Sequence, residues 1–190
     1  MGEIQELFHE AEKYYEDSVR KITTIASIYR RNNGGAYSVE MALREFDVIL
    51  QAILFTEALS DGRFHRREMM FLDILAKNGD LLREISDATG GELQMTWYGI
   101  AALDTETQLK LTGILPGILE RTTKSFVTAM ASVDKEAESI DVLRDLTTNI
   151  GHICACLGAF DGAPVKKESR AAGSMMSALL YKRWKEILDT

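Results

Sequence analysis

One short pattern occurs twice in this chain, and it limits the folds available. Leu59-Ser60-Asp61-Gly62-Arg63-Phe64-His65-Arg66-Arg67-Glu68 is echoed 100 positions later by Ala159-Phe160-Asp161-Gly162-Ala163-Pro164-Val165-Lys166-Lys167-Glu168. Each copy has an Asp-Gly pair, a hydrophobic residue three or four positions after the Asp, and a Glu seven positions after it. The match extends upstream, pairing Arg44-Glu45-Phe46 with Arg144-Asp145-Leu146, Ile53 with Ile153 and Ala58 with Gly158. Both copies lie between stretches whose apolar residues recur at helical spacing. Such a pair predicts a duplicated helix–turn–helix unit, with halves at about 38–90 and 136–188.

Composition points the same way. Only two prolines interrupt 190 residues rich in helix-forming side chains, so the expected fold class is all-α. We expect one bundle of about seven to eight helices over residues 1–190, with residues 1–35 as an added N-terminal helix. The net charge of -7 argues against nucleic acid as a partner. No run of roughly 18 apolar residues is present, so membrane insertion is not expected. The start, Gly2-Glu3-Ile4-Gln5-Glu6, has no signal-peptide character. Cys154 and Cys156 are the only cysteines; two apart on a helix, they point away from each other. A reduced, cytoplasmic setting is the expectation.

Taken in order, Ile4, Phe8, Ala11, Tyr15, Ser18, Ile22, Ile25 and Tyr29 form a heptad seam. The seam either packs on the body of its own chain or makes a homodimer through residues 4–29. Asn32-Asn33-Gly34-Gly35 stops that helix. Ser38 then caps a helix running to about Ser60. A helix from about His65 to Asn78-Gly79 and a short one from Asp80 to Gly90-Gly91 follow. Residues 92–102 are expected to be helical, with Met95, Trp97, Tyr98 and Ile100 available to the core. Asp104 or Thr105 caps the next helix, which Pro116-Gly117 must kink or split. Residues 134–139 read as a loop or first turn, and 140–160 as a helix with Leu143, Leu146, Ile150, Ile153, Cys154 and Leu157 inward. The last helix, 166–188, carries Met176, Leu179, Leu180, Trp184 and Ile187 as its apolar stripe.

The repeated pattern has two physical readings. In the first it only makes corners. Gly62 and Gly162 supply left-handed backbone where a helix ends, and Phe64 or Pro164-Val165 tucks beneath the bend. Glu68 and Glu168, in the first turn of the next helix, then meet free N–H groups and the positive end of the helix dipole. In the second reading Asp61, Glu68, Asp161 and Glu168 converge, with Glu57 one turn before Asp61 as a fifth acid. Clustered oxygens of this kind suit Ca²⁺, Mg²⁺ or Mn²⁺. An EF-hand is excluded, because Arg63 and His65 stand where oxygen ligands would be needed.

Asp61-Gly62-x-Phe64-x-x-x-Glu68 within an amphipathic helical pair resembles the signature of the tellurite-resistance TerB-like family, and Asp161-Gly162…Glu168 resembles a second copy. The resemblance covers roughly residues 40–80 and 140–185. It implies an all-helical, non-enzymatic protein of tellurite and chemical-stress responses, with an acidic site for a divalent cation and a protein partner. Family motifs commonly place acids, Ser or Thr after the glycine. This chain has Arg63, His65, Arg66 and Arg67 there, and Lys166 and Lys167 in the second copy. Cations so close repel a divalent ion, and Arg63, Arg66 and Arg67 form a candidate surface for an anion or acidic partner.

Other features read as structure. His152 and Cys156, four apart, are expected as a buried core pair rather than metal ligands. Met69-Met70 and Met175-Met176 are expected in adaptable packing. No catalytic residue is assigned, since no nucleophile–base arrangement, P-loop or dinucleotide turn occurs. The alternatives to a cation-responsive TerB-like protein are a metal-free helical scaffold that binds partners, and a carboxylate-based metal-dependent hydrolase.

Overall fold

The computed structural model describes residues 2–33, 35–59, 62, 64, 66–75, 80–90, 96–132, 136–160 and 166–190. Among these residues it is all helix: α1 (Gly2–Asn33), α2 (Val39–Ala58), α3 (Arg66–Leu75), α4 (Leu81–Ala88), α5 (Trp97–Ala102), α6 (Thr105–Thr112), α7 (Leu115–Ala131), α8 (Glu136–Phe160) and α9 (Lys166–Leu188). The expected all-α bundle is what the chain forms. Helices α6 and α7 are one path broken at Gly113-Ile114, with Pro116 in the first turn of α7, where its missing N–H costs nothing.

Helix starts follow side-chain caps. Ser38 Oγ accepts from the Met41 N–H at 3.1 Å, Asp80 from Arg83 at 2.9 Å and Asp104 from Thr107 at 2.9 Å. Of the stretch expected to be helical, α5 takes up Trp97–Ala102, and Thr96 Oγ1 caps its start by accepting from the Gly99 N–H at 2.9 Å. Residues 91–95, with Met95, lie outside the described residues. Trp97 and Ile100 are buried, but Tyr98 is 60% exposed, because a helix of two turns has room for one inward face only.

Helix α2 is the centre. Ala42, Phe46, Ile49, Leu50, Leu54 and Phe55 have essentially no exposure, and buried Asp47 and Gln51 are bonded rather than stranded. Tyr15 Oη of α1 donates to both Asp47 carboxylate oxygens at 2.9 and 3.1 Å, and Gln51 Oε1 accepts from the Leu81 N–H at 3.2 Å. Helix α1 is antiparallel to α2, with Tyr15 beside Asp47 and Tyr29 against Tyr37. It is antiparallel to α8 as well, pairing Lys21 with Asp145, Asp17 with Asn149 and Tyr14 with His152. Ala11, Tyr15, Ser18, Ile22 and Ile25 of the seam are buried within the chain, whereas Ile4 is 43% exposed. A homodimer through residues 4–29 would therefore have to use the other face of α1.

Helices α8 and α9 form an antiparallel hairpin that crosses at Gly151 and Gly173, whose backbones nearly touch. The six inward positions expected on α8 are all buried. On α9 the stripe is narrower than expected. Trp184 is buried, Met176, Leu180 and Ile187 are half-buried, and Leu179 is 63% exposed. The glycine contact, rather than the largest side chains, sets the rotation of α9. Met69 is buried, while Met70 and Met175 are exposed, so only part of each methionine pair packs inward.

Candidate functional site at the acidic corners

The first corner begins where α2 ends. The Gly62 N–H donates to Leu59 O at 2.9 Å, and Gly62 adopts φ +93°, a left-handed conformation that a side chain would strain. Two residues on, Phe64 enters the core. Its ring meets Phe55 edge-on at 5.1 Å and Trp97 at 5.8 Å, and Phe55 and Trp97 meet at 5.5 Å. Its N–H donates to Gln108 Oε1 at 3.2 Å, while Gln108 Nε2 donates to Ile100 O at 2.8 Å. Gln108 is fully buried and ties the corner to both α5 and α6. Nothing in the periodicity of α6 singles out this glutamine, so sequence reasoning missed it.

Beyond Phe64, Glu68 lies in the first turn of α3 and is only 3% exposed. Glu57, in the last turn of α2, is half-buried. Its charge reaches α8: burial pushes the Cys154 thiol up, and the Glu57 carboxylate pushes it further. Arg66 is exposed. Asp61, Arg63, His65, Asp161 and Gly162 lie outside the described residues, as do the side chains of Arg67 and Glu168. Two of the five expected acids, Glu57 and Glu68, are therefore described. In the second copy Leu157 replaces Glu57 and is buried.

The helix directions bring the two units together. Because α2 and α8 are both antiparallel to α1, they are parallel to each other and end at the same end of the molecule. The beginning of α1 lies there too. Phe8 meets Phe71 of α3 at 6.0 Å, and Leu7 and Glu10 face Cys156 and Ala159 near the end of α8. Burial on α2 repeats on α8 at the 100-residue offset, with Phe46 and Leu146, Ile49 and Asn149, Leu50 and Ile150, and Ile53 and Ile153 all buried. The following helices diverge. Helix α9 is continuous over the positions that correspond to α3 and α4 together, and buried Leu72 and Leu75 correspond to exposed Ala172 and Met175.

His152 and Cys156 are not a buried pair. Cys156 is buried, but His152 is exposed and stacks on Tyr14 at 4.4 Å with ring planes 9° apart. Burial, with Glu10 adding to it and Arg170 opposing it, pushes the Cys156 thiol up to about 12. Burial thus keeps the free Cys156 side chain in its neutral thiol form, the less nucleophilic one. Among the described residues no group of three or more His, Cys, Asp or Glu side chains is arranged to hold a metal. None of the helices, over the same residues, is long and apolar enough to cross a membrane. Searches of protein families, curated proteins and solved structures find no match to this chain.

Proposed function

We propose that this is a non-enzymatic, cytoplasmic, TerB-like protein of the stress-response class, which docks a protein partner at its corner end under control of a divalent cation. The supporting observation is the shared end of α2 and α8. Both helices that lead into an Asp-Gly pair finish there, and Glu57 of the first unit acts electrostatically on Cys154 of the second. A cation held by acids of the two corners would stiffen that end and bias the affinity of the surface around it. Binding to the folded state alone adds about 2.7 kcal/mol at a cation concentration 100 times Kd, and a chain of this size gains about 2–4 °C in Tm per kcal/mol. Melting with Ca²⁺, Mg²⁺ or Mn²⁺ should therefore rise by roughly 5–10 °C at saturation. The rise should vanish in the Asp61→Asn, Asp161→Asn double variant. Superimposable melts of the parent with and without each cation would sink the cation reading.

A metal-free scaffold is the second reading, favoured by the corner's own chemistry. Gly62, the Phe64 ring and the Gln108 amide account for the bend without any ion. On that reading Glu68→Gln lowers stability by about 1 kcal/mol through loss of a first-turn carboxylate and leaves partner affinity unchanged.

A further inference from the structure

Away from the corner end, two open depressions of about 680 and 560 Å³ share Lys124, Thr128 and Ser132. Together they form one groove along the outer face of α7. One end is polar and basic, with Tyr29, Tyr37 and Arg121; the other is apolar, with Ile140, Ile187 and Leu188. From Arg121 to Ser132 the helix rises about 16 Å at 1.5 Å per residue.

Much of the hydrogen-bonding capacity along the groove is already used. Ser125 Oγ donates to Glu45 Oε1 at 2.6 Å, the Tyr37 hydroxyl donates to Glu45 Oε2, and Ser132 Oγ donates to Thr128 O at 2.8 Å and to Ala129 O at 3.0 Å. Glu45 is thereby occupied, and burial holds its carboxyl above the usual carboxylate range. Unused donors are the Tyr29 and Thr128 hydroxyls and, above all, Lys124, which pairs with no carboxylate among the described residues. Among the described residues Arg121 reaches only Glu84, at 3.9 Å. In a chain of net charge -7, two cations beside open hydroxyls mark a place for a negative group. Asp189, at the apolar end, excludes a negative group from that side and so fixes an orientation.

We propose that this groove binds an aliphatic carboxylate of medium chain length, its head at Lys124 and Arg121 and its chain lying toward Ile187 and Leu188. The site is independent of the corner acids. Isothermal titration of the full chain with decanoate and with butyrate tests it. Decanoate should bind at least tenfold more tightly than butyrate, and Lys124→Ala, an exposed position that leaves the melting temperature unchanged, should weaken decanoate at least tenfold. Leu188→Ser should remove the preference for the longer chain. Absence of decanoate binding at millimolar concentration would overturn the proposal, as would equal binding by the parent and Lys124→Ala.

Discussion

Replacing Gly173 by alanine sets two opposing effects against each other, and the structure says which prevails. In the middle of a helix, Gly→Ala normally stabilises by about 0.5–1 kcal/mol, because alanine has less backbone freedom to lose. At Gly173, however, the new Cβ would lie 2.2 Å from Gly151 O and 3.0 Å from the Ala155 Cβ. The first neighbour is backbone and cannot rotate aside, so α9 must move off α8, drawing half-buried Met176 and Leu180 with it. Forced overpacking costs about 1–3 kcal/mol, and an obstruction of this kind belongs at the upper end. Subtracting the propensity gain leaves a net loss of about 2 kcal/mol, or roughly 4–8 °C in Tm for a chain of this length. Gly117→Ala in α7 is the internal control: its Cβ would meet only the end of the Arg121 side chain, at 3.8 Å, so propensity acts alone and the melting temperature should rise slightly. Thermal unfolding followed by circular dichroism measures both. A Gly173→Ala protein as stable as its parent would refute the reading of the crossing as a backbone-to-backbone contact.

Two further perturbations test the interior. Gln108→Leu strands the Phe64 N–H, while the Ile100 carbonyl keeps the Leu103 N–H at 3.1 Å, and at about 1–3 kcal/mol for a buried unsatisfied group it should lower the denaturation midpoint more than any exposed substitution on α6. Glu45→Gln should stabilise at neutral pH. Burial raises the folded-state pKa of Glu45, so its contribution is fully present below the unfolded value near 4.5 and is lost as pH rises through the folded value. The glutamine protein should therefore melt above the parent at pH 7, with the advantage shrinking toward pH 4; an advantage that does not change with pH would contradict the assigned cause.

The elements were legible where a local rule governs them. Ser38 and Asp104 cap the helices that their side chains announce, Pro116 marks the break between α6 and α7, and the buried positions of α8 follow a 3.6-residue period. Legibility failed where a distant partner decides. Leu179 and Leu180 are equally good core candidates in the sequence, and only the Gly151–Gly173 contact turns one outward and the other partly inward. His152 is exposed because α1 passes there and offers the Tyr14 ring as a partner, which spacing along α8 does not reveal. At the corner, Gly62 and Phe64 could be read as turn and staple from their own chemistry. The Gln108 tie, 44 residues away, could not.

The position of α1 has a consequence for how the chain is made. Its partners on α8 are remote, with 124 residues between Lys21 and Asp145 and 132 between Asp17 and Asn149. At about 5–20 residues per second of synthesis, the surface that α8 will cover waits roughly 6–25 s for its mate to leave the ribosome. Until then α1 can lean on α2, α3 and α7, and the flank that α8 will cover stays open to solvent. The first helix thus acts as a latch, closed by a helix that is synthesised 124 residues after it at the Lys21–Asp145 pair.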